Sequence, residues 1–325
     1  MNTRRGFALL AVLWIITGAA VISMGVALAA RERVRTAFNR SALLQAEWNA
    51  DDCVARATAV LDGLLLRPAG PIGSIGAAPS DSLPLLVSRA ADVRACPGVV
   101  RIEPVGMTID LATASTAMVR RAIELQGFSI PQADALVDAL LDWRDPDDTP
   151  RAHGCETRCT TELGLDSPRN AAILDLAELR LVRGFDSWDS LRGGRRAPVP
   201  LDQLFTTEPG RVAITWAPFE VLAALPGIGV AGARDLVAYR RSRSPINGDL
   251  AGVREALGPI ARDSFALAFD ALSRLATTLP DAWLIVVTSP RPRTNDSIPP
   301  LGIRLVTRVQ FTSSGVRVQR RRMVP

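Results

Sequence analysis

The stretch FALLAVLWIITGAAVISMGVALAA, Phe7 to Ala30, governs how the rest of the chain is read. No charged residue interrupts it. At about 1.5 Å rise per residue it makes a helix about 36 Å long, enough to cross a hydrocarbon core of ~30 Å with some tilt. A helix on a soluble core carries a polar stripe, and this one has none. Arg4 and Arg5 precede it, so the short leader is expected to stay in the cytoplasm and the bulk of the chain to lie outside. Arg31, Arg33 and Arg35 stand just beyond it and reduce that charge asymmetry.

A cleaved secretory signal peptide also has basic residues before an apolar run. Two features argue for a retained anchor. The run exceeds the usual ~7–15 residues of a signal core. The helical pattern also continues past it, with no Pro up to Leu66 and no Gly before Gly63. Val34, Phe38, Ala42, Ala46, Trp48, Cys53, Val54, Ala57, Val60, Leu61 and Leu64 fit roughly one face. One helix is therefore expected from Phe7 to about Leu66, half in lipid and half in water.

Composition narrows the function. Of 325 residues, 48% are hydrophobic and 22% charged, as in a folded protein. There is a single histidine, His153, so any triad, imidazole base or multi-histidine metal site would have to use it. No nucleophile elbow, P-loop or dinucleotide fingerprint occurs, and no enzyme activity is expected. The net charge is +5, and every basic residue is Arg. That excess is spread along the chain rather than clustered, so charge alone points to no nucleic-acid partner.

Beyond the long helix, residues Pro68 to Pro84 are rich in Pro, Gly, Ser and Ala and read as a loop. Val99–Val105 alternates as a strand, and a mostly helical stretch follows from about Leu111 to Ala276. Trp283–Thr288, Ile303–Phe311 and Gly315–Gln319 read as strands, the first two split by a Pro-rich loop from Ser289 to Pro300. A strand parted from its partners by a helical block implies one small sheet closed around an insert.

The leader carries the first resemblance. Arg4-Arg5-Gly6-Phe7-Ala8-Leu9-Leu10, ahead of an unbroken apolar helix, resembles a type IV prepilin leader. That implies cleavage by a prepilin peptidase between Gly6 and Phe7, with methylation of the new N-terminus at Phe7. Most pilins and pseudopilins carry Glu at the fifth mature position, where this chain has Ala11. The K-type minor pseudopilin of the type II secretion system characteristically lacks it. Ile109–Ser115, ALLDWRDPDD at 139–148, ELRLVRG at 178–184 and AITWAPFEVLAALPGI at 213–228 also resemble that family, with Thr215 and Trp216 where Asn and Thr are usual.

The resemblance implies an α+β fold: a long N-terminal transmembrane helix and a small pseudopilin antiparallel sheet, with a large inserted all-α domain. The expected organisation is a leader at 1–6, a transmembrane helix at 7–30 and its periplasmic continuation at 31–66. The first portion of the pseudopilin α/β part then spans 67–110, the inserted helical domain 111–278 and the C-terminal strands 279–325. It also implies an inner-membrane, single-pass protein at the pseudopilus tip. Its partners would be I- and J-type minor pseudopilins, the major pseudopilin, the inner-membrane assembly platform and the prepilin peptidase.

Three constellations remain. Asp142, Asp145, Asp147 and Asp148 surround Pro146, with Glu156 following. Clustered carboxylates on a turn suit a hard cation, and the resemblance implies calcium. The same run also reads as a solvated helix end, although crowded acids near a C-terminal dipole repel one another. Cys53, Cys96, Cys155 and Cys159 are even in number and suit two disulfides in an oxidising compartment. The C-x3-C spacing suggests a local pair of Cys155 and Cys159, which leaves Cys53 to bridge to Cys96. Four cysteines permit three pairings, and a zinc site using His153, Cys155, Cys159 and one more Cys is the rival. Finally, Leu225–Gly229 resembles a helix-hairpin-helix turn, followed by Arg234, Arg240, Arg241 and Arg243. It reads either as a phosphate-binding turn of a membrane-anchored DNA-uptake protein or as a tight interhelical turn.

Overall fold

The computed structural model describes residues 4–65, 87–158, 168–185, 188, 199–241, 249–289, 303–312 and 315–324. The loop expected over Pro68–Pro84, the connection after Ser289, residues 1–3, Cys159 and Arg243 lie outside the described residues.

Helix α1 runs unbroken from Arg4 to Leu65. It contains a span long and apolar enough to cross a membrane, and none of that span is buried by the rest of the chain. Burial begins at Ala46. Ala46, Ala50, Cys53, Ala57 and Leu61 have no exposed surface, at the three- and four-residue spacing that lines one helix face. Only this upper end of α1 meets the head.

That face packs on one side of a four-stranded antiparallel sheet. Its strands are β1 (Val99–Pro104), β6 (Trp283–Ser289), β7 (Ile303–Thr312) and β8 (Gly315–Val324), in the order β1-β6-β7-β8. Register pairs Ile102 with Ile285 and Val287 with Leu305, which sends Ile102, Ile285, Val287, Leu305 and Val309 into the core under α1. The last strand runs five residues past Gln319, to Val324. The run Arg320–Arg322 masks its alternation, yet Arg321 pairs with Asp51 of α1 and the Val316 N–H donates to Asp62 at 2.6 Å. A one-turn helix, α2 (Ala91–Arg94), precedes β1 and packs against α1.

Between β1 and β6 the chain leaves the sheet and builds a second core of its own. Helices α3 (Thr116–Leu125) and α4 (Ile130–Arg144) follow Ser115 and Ser129. The Ser115 hydroxyl accepts from the Met118 N–H at 3.2 Å, and the Ser129 N–H donates to the Gln132 side chain at 2.9 Å, so both helices start on capped donors. Later come α5 (Phe219–Ala224), α6 (Gly229–Arg241) and α7 (Pro259–Leu275). Two parallel ladders of two residues tie the helices' ends: β2 (Ile109–Asp110) with β3 (Phe205–Thr206), and β4 (Val212–Ala213) with β5 (Ala276–Thr277). Two-residue strands are too short for any alternation to reveal them in the sequence.

The insert is fastened to the sheet. Trp216 meets Trp283 of β6 edge-on, with ring centroids 5.1 Å apart, and Trp283 stacks on Phe311 of β7 at 5.9 Å. Glu208, buried, accepts from Arg308 of β7 at 2.9 Å, and Arg211 forks onto Asp281 at 2.7 and 3.1 Å. A buried, paired charge is costly to separate, so these contacts hold the two parts in one arrangement.

Candidate functional site

Helix α4 positions the acidic turn. Its apolar stripe of Ala133, Leu136, Val137 and Leu140 faces the insert core. That orientation leaves Asp138 and Asp142 one turn apart and brings Asp142 fully under cover at the helix end. Asp145 closes the helix in extended conformation, and the chain turns back over it.

The returning chain answers the buried charge. The Arg151 side chain donates to Asp142 Oδ1 at 2.7 Å and also contacts Asp145, while its backbone N–H donates to Asp142 Oδ2 at 3.1 Å. The hydrogen bonds to Asp145, then to Asp142, raise the Arg151 pKa further and hold it charged. Gly154 lies directly on Asp142, and a Cβ there would stand 1.9 Å from the carboxylate oxygen. Asp138 accepts from the His153 N–H at 3.1 Å and lies 3.2 Å from its ring Nδ1.

Of the five acids singled out from the sequence, the turn gathers Asp145, Asp147 and Glu156, with ligand oxygens within 4.8 Å of one another. Calcium–oxygen distances are about 2.3–2.6 Å, so oxygens on opposite sides of one calcium are separated by about that same 4.8 Å. Arg151 bridges Asp142 and Asp145, so Asp145 enters the group with its Oδ2 already paired, and Asp148 faces the Thr157 hydroxyl at 3.4 Å. Asp147 accepts from the Thr149 N–H at 2.9 Å.

Glu156 sets the character of the site. Its side chain is buried, and among the described residues neither carboxylate oxygen has a hydrogen-bond partner. Asp145 Oδ1 is in the same condition. Desolvation, followed by the charges of Asp142, Asp145, Asp147 and Asp148, pushes the Glu156 carboxyl up to about 7. An unpartnered buried acid among other acids is costly as an anion, and a cation is the simplest group to satisfy it. The donors are all oxygens, the set a hard cation prefers. The rival zinc set loses Cys155, which is disulfide-bonded and cannot serve as a thiolate.

Sequence reading missed Arg151 and Gly154. The signal for Arg151 was a lone base immediately after a run of acids; nothing local marked Gly154. Asn170, whose N–H donates to the Trp143 carbonyl at 3.0 Å with φ at +49°, also carries a buried Oδ1 with no partner among the described residues.

The turn at Leu225–Gly229 is packed from behind. A Cβ on Gly227, where φ is +76°, would meet the Ser264 carbonyl at 2.8 Å and Ala268 at 2.7 Å on α7. Arg240 points inward and donates to the carbonyls of Ile214 and Ala217. The motif therefore seats α5 and α6 against α7, and Arg240 is committed within the fold.

The stem has the opposite character. Phe38, Leu44 and Trp48 are exposed, Trp48 by 70%, and Val34 is exposed with them. At about 100° per residue these four project on the side of α1 opposite Ala46, Ala50, Cys53, Ala57 and Leu61. The single apolar face expected along the stem is thus two faces, and only one of them meets the head. Cys53 and Cys96 are both free thiols, and Cys96 packs against the core cluster that contains Cys53.

Residues 108–191, which hold the acidic turn, match the family model of the type II secretion system, protein K. That match lies within the inserted helical part of the chain. No curated protein sequence matches the chain. In fold it is similar to a chain of the GspK–GspI–GspJ complex from the type 2 secretion system of enterotoxigenic Escherichia coli, with TM-score 0.60 and 13% identity. That likeness covers 90% of this chain and 99% of the other. The resemblance to the K-type minor pseudopilin, drawn from the leader and the insert, is met by both findings: the protein K model inside the insert and the shared α+β fold.

Proposed function

We propose that this chain is a minor pseudopilin of the type II secretion system that caps the pseudopilus tip and starts its assembly with I- and J-type partners. The carrying observation is the two-sidedness of α1: one face holds the head, and the other presents Val34, Phe38, Leu44 and Trp48 in line with a membrane span. Apolar residues left uncovered along such a stem suit packing against similar helices. The relative of like fold comes from a complex of three such proteins, GspK, GspI and GspJ.

The prepilin peptidase would cut between Gly6 and Phe7, and Phe7 would be methylated. Ala11 fits the tip. A carboxylate inside a membrane costs about 2.5–3.5 kcal/mol on insertion scales, offset in a shaft by the amine of the subunit ahead. A tip subunit has no subunit ahead and no such offset. The head would lie in the periplasm, with the major pseudopilin and the assembly platform beneath it, and the tip would support export across the outer membrane. The test is co-purification of detergent-extracted chain with tagged I- and J-type subunits. Wild type is expected to retain them and Phe38→Glu to lose them, with the melting temperature of the head unchanged. Full retention by Phe38→Glu sinks the helix-packing reading.

In the same reading, Asp145, Asp147 and Glu156 hold calcium, which clamps the turn after α4 by adding to the one positive charge, Arg151, already set against these acids. Calcium is expected to raise the thermal midpoint of the full chain and a chelator to reverse the rise. An equal response from Glu156→Gln counts against the site.

A further inference from the structure

Cys53 and Cys96 come from distant parts of the chain and meet where the stem enters the head. Cys53 has no exposed surface and sits among Ala50, Ala57 and Leu61 on the face of α1 that packs against the sheet. Cys96 stands two residues beyond α2, partly buried against the same cluster. Its sulfur lies 3.9 Å from the Asp92 carbonyl, and its side chain packs against the cluster that holds Cys53. Arg56, held to Asp52 at 2.8 Å, brings positive charge beside both sulfurs. Two thiols in one packed cluster, on elements that lie against each other, are placed to close a disulfide bond of about 2.05 Å.

From this geometry we infer that Cys53 and Cys96 form a disulfide clasping the stem to the head, closed by exchange with an external protein or small-molecule disulfide. The inference rests on the proposed placement of the head in an oxidising compartment. Cys96, the more accessible sulfur, enters first. Its thiolate attacks one sulfur of the external disulfide, forms a mixed disulfide and releases the other sulfur as a thiolate. The Cys53 thiolate then attacks the Cys96 sulfur, making the intramolecular bond and expelling the second external thiolate. The two protein thiols give up two electrons and two protons, and the external disulfide takes them up as two thiols. Burial, then the hydrogen bond with Cys53, pushes the Cys96 thiol up to about 12. Attack by its thiolate therefore belongs to the stage before α2 docks onto α1. β1 begins at Val99, just after Cys96, so the bond fixes where the first strand of the sheet sits along the stem. Closing the ring from Cys53 to Cys96 also restricts the unfolded chain.

The experiment is peptide mapping of full chain extracted from membranes, with free thiols alkylated at lysis and no reductant added. The expected result is a cross-linked peptide pair containing Cys53 and Cys96, with neither residue alkylated. In Cys53→Ala, Cys96 is expected to become alkylated or to carry an external thiol. Adding reductant is expected to lower the thermal midpoint of wild type more than that of Cys53→Ala/Cys96→Ala. Cys155 serves as an internal reporter of the compartment. If Cys53 and Cys96 are alkylated while Cys155 stays disulfide-bonded, the clasp is overturned and the compartment stands. If Cys155 is alkylated too, both the clasp and the placement in an oxidising compartment fall.

Discussion

The lower and upper halves of α1 are one continuous helix in two different situations. Above Ala46, small and apolar side chains at helical spacing disappear into the sheet core. Below it, Leu13, Trp14, Ile15, Ile16, Val21 and Ile22 are all exposed. The upper half is stabilised by what this chain supplies; the lower half has apolar surface that only lipid or other helices can cover. Between the two, Phe38 and Trp48 share the lower half's condition although they lie beyond the apolar run. The helix is thus a stem whose outer side is finished by assembly.

The largest effect should come from breaking the upper half. Leu61→Ala removes a fully buried side chain from the stem–sheet core and is expected to cost about 2–5 kcal/mol of head stability, read as a lower thermal midpoint. A loss below ~0.5 kcal/mol would mean that this face is not packed as described. Ile15→Asp addresses the lower half. It is expected to add about 2.5–3.5 kcal/mol to membrane insertion, read as loss of chain from the membrane fraction, with the head still folded.

The acidic turn offers an effect of intermediate size. Glu156 carries a carboxyl raised from 4.5 to about 7 in the folded head, so between those values the native state holds a proton that the unfolded chain releases. Without calcium, stability is therefore expected to fall as pH rises from about 4.5 to 7. Calcium requires the carboxylate, so its stabilising shift should grow over the same rise. Thermal melts at pH 5.5 and 8 with and without calcium check both signs, and Glu156→Gln should flatten both. The smallest effect is expected at Trp48→Ala, within about 0.5 kcal/mol in the isolated chain because Trp48 is 70% exposed there. Its readout is weaker co-purification with the I- and J-type subunits.

The long helix was legible because its signals are local: an unbroken apolar run, then no breaker until Gly63. Val99–Val105 alternated, and Trp283–Thr288 and Ile303–Phe311 were short runs rich in β-branched residues, local signals of the same kind. What escaped was long-range. The direction in which α1 faces its head depends on where a sheet built from both ends of the chain comes to rest, so Trp48 read as part of the packed face. β8 hid its last five residues behind Arg320–Arg322, whose charges are tolerated at a sheet edge. In the acidic turn, sequence supplied the five acids, but their sorting needed the fold: Arg151 pairs with both Asp142 and Asp145, and Glu156 has no hydrogen-bond partner among the described residues.

The most direct measurement is the intact mass and N-terminal sequence of the chain extracted from membranes. A helix kept as an anchored stem predicts a mature chain that begins at N-methylated Phe7 and retains Ala11 and everything after it. A chain released from the membrane and beginning near residue 30, with the lower half of α1 removed, would contradict it.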